Sequence, residues 1–214
     1  YKMGKNVPTP VTTFTYEFTK QSFNSETTST VQDKMPNITA KTVNFTAAND
    51  TDSSTDDTYK LVKAQTTNFL TDFATTLKNS PDSTNGVGVY QYKVSQKTPT
   101  TITPNNTLDT LVESKAEYTV KIYVAQKSDK TGLYIKGLVV TQSKDESGNV
   151  STGSGKIDAT PNPHPGTGNE PWSGMVFKNE YLAKNDPGST VTPDPTKPAT
   201  YAFMVKNNIK ENKD

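Results

Sequence analysis

Apolar and aromatic residues recur at every second position in several separate stretches of the chain. That is the period of a β-strand with one buried face. The pattern is sharpest at 87–96, where Tyr90, Tyr92 and Val94 share a face and Gln96 falls in phase with them. At 117–125, Tyr118, Val120, Ile122 and Val124 alternate with polar neighbours. The stretch 133–141 returns across 126–132 as the second arm of a hairpin. Its Leu138-Val139-Val140 run predicts apolar cover on both faces at one end. At 11–19, Phe14, Tyr16 and Phe18 oppose Thr15, Glu17 and Thr19, and shorter strands are predicted at 1–3 and 38–45.

A further strand is predicted at 174–181, with Met175, Phe177, Asn179 and Tyr181 on one face. Three of these four are large and apolar or aromatic, so a carboxamide is aimed into the core and needs partners. Asn179 is then either bonded to loop backbone at a strand end or held there because it bonds or reacts with a neighbouring strand. Gln96 is a second inward carboxamide at a strand end.

Phe69, Phe73 and Leu77 stand at helical spacing, which predicts one short helix near 64–78, although the many Thr residues there favour strand. The polar run 20–34 reads as a surface loop or weak edge, and 47–57 as an acidic loop that cannot bury itself. The stretches 97–109 and 143–173 read as loops; the second holds Lys144, Lys156, the single His164 and the single Trp172. A Pro/Thr linker is predicted at 186–199 after a domain at 1–185. Tyr201, Phe203, Val205 and Ile209 are in phase, so 200–214 is the first strand of a following domain or an exchanged strand.

Composition narrows the class to all-β. About one residue in six is Thr, hydrophobic residues make up 30%, and mean hydropathy is -0.74, which demands a thin core. Net charge is +1 and every basic residue is Lys, so neither a nucleic-acid nor an anionic-membrane footprint is present. There is no cysteine, so stability comes from something other than disulfides. No signal peptide or membrane span is seen, and the abrupt start inside a strand suggests an excised or mature fragment.

Conventional chemistry is poorly represented. One histidine, in Pro-Asn-Pro-His-Pro, makes a His-based metal site or a catalytic triad improbable. The Asp residues at 50–57 lack the spacing of a calcium loop, and no Gly-rich phosphate loop precedes a helix. Five Asn-x-Ser/Thr matches, at Asn37, Asn44, Asn49, Asn105 and Asn149, are expected by chance in so Thr- and Asn-rich a chain. The reading is a non-enzyme with no cofactor.

Three ordered motifs resemble the streptococcal-type backbone pilins of Gram-positive bacteria, the pilin isopeptide-linkage domain family. They are Gly88-Val-Tyr-Gln-Tyr-Lys-Val-Ser-Gln96, Glu117-Tyr-Thr-Val-Lys-Ile-Tyr-Val124 and Met175-Val-Phe-Lys-Asn-Glu-Tyr181, with weaker support from Pro10-x-x-x-Phe-x-Tyr16. The resemblance implies an Ig-like β-sandwich stapled by an amide bond between a first-strand Lys and a last-strand Asn, promoted by a buried acid. Burial would favour a neutral amine and a protonated acid, which allow attack on the carboxamide and loss of ammonia.

By resemblance Asn179 is the acceptor and Gln96 stands at the acid position, where an amide can hydrogen-bond but cannot titrate. Glu113 and Glu117 are the nearest acids in sequence. The family's Lys falls in phase with Tyr1 and Met3, two positions ahead of Tyr1. Three alternatives follow: that Lys lies outside this sequence, Lys2 serves after a register shift, or no bond forms. The resemblance also implies an extracellular, wall-anchored pilus shaft built head-to-tail by sortase. Its Leu-Pro-x-Thr-Gly sorting pattern is absent from these 214 residues, and Lys144 and Lys156 are the candidate acceptors for subunit linkage. The alternative reading is an adhesin module contacting host surface ligands through 143–173.

Overall fold

The longest alternating stretches become the central strands. A computed structural model describes residues 1–64, 66–79, 86–152, 155–157 and 174–184. In chain order the described strands are β1 (Lys2–Gly4), β2 (Val11–Phe23), β3 (Lys41–Phe45), β4 (Tyr59–Leu61), β5 (Gly88–Gln96) and β6 (Thr101–Thr103). They continue with β7 (Thr110–Val112), β8 (Glu117–Gln126), β9 (Leu133–Lys144), β10 (Lys156–Ile157) and β11 (Glu180–Leu182). Helices α1 (Ser29–Lys34) and α2 (Phe69–Asn79) fall between strands.

The large sheet runs β10-β9-β8-β5-β2-β3, with β6 also pairing β2, and the small sheet runs β4-β1-β11-β7. Their packing is that of an all-β, Ig-like sandwich. In the large sheet Tyr90, Tyr92, Val94, Tyr118, Val120 and Ile122 are all nearly inaccessible. The α2 helix covers this layer with Phe69, Phe73 and Leu77, the three residues at helical spacing. Asn68 starts it by accepting the Leu70 N–H at 2.9 Å. A second core cluster, Met3, Phe14, Val43, Phe45, Val62 and Tyr181, fills the space beneath the small sheet.

The first and last described strands, β1 and β11, are parallel neighbours with Lys2 opposite Glu180. The Lys2 N–H donates to the Asn179 carbonyl at 2.8 Å. Several local expectations are revised. β2 continues through 20–23 past a register irregularity between Lys20 and Ser22, and the polar run then contains α1. The loops at 97–109 and beyond hold short strands β6 and β7, too brief for alternation to register. Of the predicted strand at 174–181 only Glu180 onward is assigned as strand; before it, Met175 and Phe177 pack against the core. The linker at 186–199 and the strand at 201–209 lie outside the described residues.

Candidate functional site

Asn179 sits where the chain enters β11, and Gln96 ends β5 in the opposite sheet. Alternation along each stretch turns both carboxamides inward, and they are 3% and 7% exposed. Gln96 Nε2 donates to Asn179 Oδ1 at 2.9 Å, and Asn179 Nδ2 donates to Gln96 Oε1 at 2.9 Å. Asn179 Oδ1 accepts a second bond from the Ser114 N–H at 2.9 Å. Asn179 thus bonds both loop backbone, at Ser114, and a strand of the facing sheet, at Gln96.

A ring of polar groups extends outward from this pair. Gln96 Nε2 also donates to Thr100 Oγ1 at 3.2 Å, and the Thr100 N–H donates to Glu113 Oε1 at 2.6 Å. On the other side, Ser114 Oγ donates to the Glu146 carboxylate, which also accepts the Lys178 N–H at 3.1 Å. The acids Glu113 and Glu146 are thus each one residue removed from the carboxamides. Aromatic walls close the site: Phe177 packs on Tyr16 at 4.7 Å and on Tyr118 at 5.3 Å between ring centroids. Burial first, and the Glu146 charge second, push the Tyr118 hydroxyl up to about 12. The same two causes raise Tyr16.

The other sequence-derived candidates lie elsewhere. Lys2 Nζ is 2.9 Å from Glu180 Oε1 and 4.9 Å from the Tyr59 ring centroid, on the outward face away from Asn179. Glu117 is outward too, 3.1 Å from Lys144 Nζ. Lys144 ends β9, and Lys156 is exposed on the edge strand β10. His164 and Trp172 lie outside the described residues. Among the described residues no group of three His, Cys, Asp or Glu side chains could hold a metal ion, and no helix is long and apolar enough to cross a membrane.

Chemically the site is a neutral hydrogen-bond clamp. Amide formation at Asn179 would need an uncharged amine at its Cγ and a proton donor at its Oδ1. Among the described residues Oδ1 faces only an amide and a backbone N–H. Ser114, Thr100 and Glu146 were not legible from periodicity, because all three sit in turns or short connections. The adjacent polar pair Glu113-Ser114 ahead of a strong strand was the sole local hint.

A scan against models of known protein families finds no match for this chain. A search of curated proteins finds none either.

Proposed function

We propose that the chain is a structural subunit of a sortase-assembled cell-surface pilus, extracellular and anchored to the cell wall. In this reading the Gln96–Asn179 clamp occupies the place of the intramolecular Lys–Asn cross-link. The observation that supports it best is the seam between β1 and β11. These strands are parallel neighbours, and Asn179 stands at their junction, facing the end of β5.

The arrangement suits a load-bearing part. Tension applied through residues 1 and 184 draws two parallel neighbouring strands in opposite directions. Their hydrogen bonds are then sheared together instead of opening one at a time. A link at Asn179, whether hydrogen-bonded or covalent, ties that seam to the facing sheet. Head-to-tail copies of the same chain are the partners, with the exposed Lys156 and the ion-paired Lys144 as the candidate linkage points.

The test is an immunoblot of wall extracts from the bacterium that carries the chain, boiled in detergent. A ladder of high-mass species that collapses on sortase deletion supports the reading, and replacing Lys144 or Lys156 by Ala should locate the linkage. A single monomer band, unchanged by sortase deletion, contradicts it.

A further inference from the structure

The outward face of the large sheet carries a polar cleft of about 370 Å³, lined by Ser22, Asn24, Gln91, Lys121 and Tyr123 among others. Strand register builds it. Ser22 stands opposite Gln91 and Gln91 opposite Lys121, forming one row across β2, β5 and β8. The irregularity between Lys20 and Ser22 turns Ser22 to this face. Asn24 closes one end from a turn in which Asn24 and Ser25 have φ of 49° and 72°, and its Oδ1 accepts the Val89 N–H at 2.9 Å. Gly88 permits that approach, since a Cβ there would lie 2.4 Å from Asn24 Oδ1.

Two features mark the cleft as built to receive something. Ser22 is only 7% exposed, yet its hydroxyl bonds no described residue, and buried hydroxyls are ordinarily satisfied. The Gln91 carboxamide, the Lys121 ammonium and the Tyr123 hydroxyl likewise have no hydrogen-bond partner among the described residues. Tyr123 is 37% exposed and lines the cleft beside its cross-strand neighbour Val89 of β5. The tyrosine thus adds partly exposed aromatic surface to an otherwise polar lining.

We propose that this cleft binds a saccharide, with the C–H face of one hexose on the Tyr123 ring. Its hydroxyls would bond Ser22, Gln91 and Lys121. Hydroxyl and carboxamide groups both donate and accept, as sugar hydroxyls do, and the aromatic supplies an apolar face beside a polar edge. A volume near the lower end of ligand-sized clefts, roughly 300–1,000 Å³, suits a small glycan. The cleft faces away from the carboxamide clamp, because Gln91 and Gln96 point to opposite sides of β5. It stands independently of the pilus reading.

The experiment is an NMR titration of the full ¹⁵N-labelled chain with N-acetyllactosamine and with 3′-sialyllactose. The amides of Ser22, Gln91, Lys121 and Tyr123 should shift together, with a Kd on the order of millimolar for at least one sugar. Tyr123→Ala and Gln91→Ala should each weaken binding about tenfold while leaving the remaining spectrum folded. Lys121→Ala separates the two sources, weakening sialyllactose alone if the site prefers an acidic sugar. No shift at these amides with either sugar, or shifts that survive Tyr123→Ala unchanged, overturns the proposal. A polyproline peptide that shifts the same amides where the sugars do not also overturns it.

Discussion

Gln96 and Asn179 exchange two hydrogen bonds, each 2.9 Å long, across the gap between the two sheets. A pair of neutral amides satisfied in this way holds the sheets in register without introducing a buried charge. Removing one partner strands the other in a dry site. We expect Asn179→Ala and Gln96→Ala each to destabilise the fold by about 2–3 kcal/mol. The double variant should lose less than the sum, with a coupling of about 1 kcal/mol in a urea-denaturation cycle. Additive losses would show that the pair does not act as a unit.

Gln96→Glu probes the polarity of the same site. A carboxylate there would face Asn179 Oδ1, whereas the protonated acid can donate to it as Gln96 does. Burial raises a carboxyl pKa, so the folded value of the introduced Glu should exceed its unfolded value of about 4.3. Its favourable contribution is then fully present below that unfolded value and disappears as pH rises through the folded one. Relative to the parent chain, the variant should match at pH near 4 and lose urea midpoint by pH near 8. A constant difference across that range would contradict the geometry.

How far the sequence carries this account depends on the length of each element. Nine- to thirteen-residue strands such as β2, β5 and β8 announce themselves because four or more inward residues repeat in phase. Three-residue strands such as β4, β6 and β7 do not, since their pairing is decided by neighbours distant in sequence. The same division holds at the site. Gln96 and Asn179 were visible as polar residues in phase with a core, but their mutual contact was not. Ser114 and Glu146 were hidden because a turn residue's partners depend on tertiary placement.

An ion pair between a buried lysine and a half-buried aspartate side chain fastens the acidic loop to the small sheet. Lys60 Nζ lies 2.5 Å from Asp50 Oδ2, and Lys60 is 5% exposed. Asp50→Ala would leave that ammonium without its counter-charge and should destabilise by about 3 kcal/mol in urea. A loss under about 1 kcal/mol would mean that Lys60 escapes to water.

The neighbouring carboxylates predict an acid transition. Burial pushes Asp50 up, but the bonds from Lys60 and Thr9 outweigh it and hold the carboxyl below its ordinary range. The Lys5 ammonium, assisted by the Ser54 N–H, lowers Asp52 to about 2. Depressed carboxylates stabilise above their unfolded pKa of about 4 and cease to do so as pH falls through the folded value. Circular dichroism should therefore report declining thermal stability from about pH 4 to about pH 2. Asp52→Asn should flatten part of that decline.

Alkali should act through the tyrosines. Burial first, then the hydrogen bond to Asp109, pushes Tyr181 up to about 12, and burial raises Tyr90 to about 12. Each favours the folded state below the unfolded pKa of about 10, and that preference is lost as pH climbs through the folded value. Tyrosinate absorbance should show a late-ionising class whose appearance coincides with loss of near-ultraviolet dichroism. Ionisation of all tyrosines near pH 10 in a folded chain would contradict the burial described.

The most direct test of the clamp is the intact mass of the purified chain followed by peptide mapping. Since Asn179 bonds Gln96 and Ser114 while Lys2 reaches Glu180 on the opposite face, the account predicts the calculated mass and an unmodified Asn179 peptide. A mass lower by one ammonia, with Asn179 joined to a lysine in a branched peptide, would show a covalent staple where the structure places a hydrogen-bonded pair.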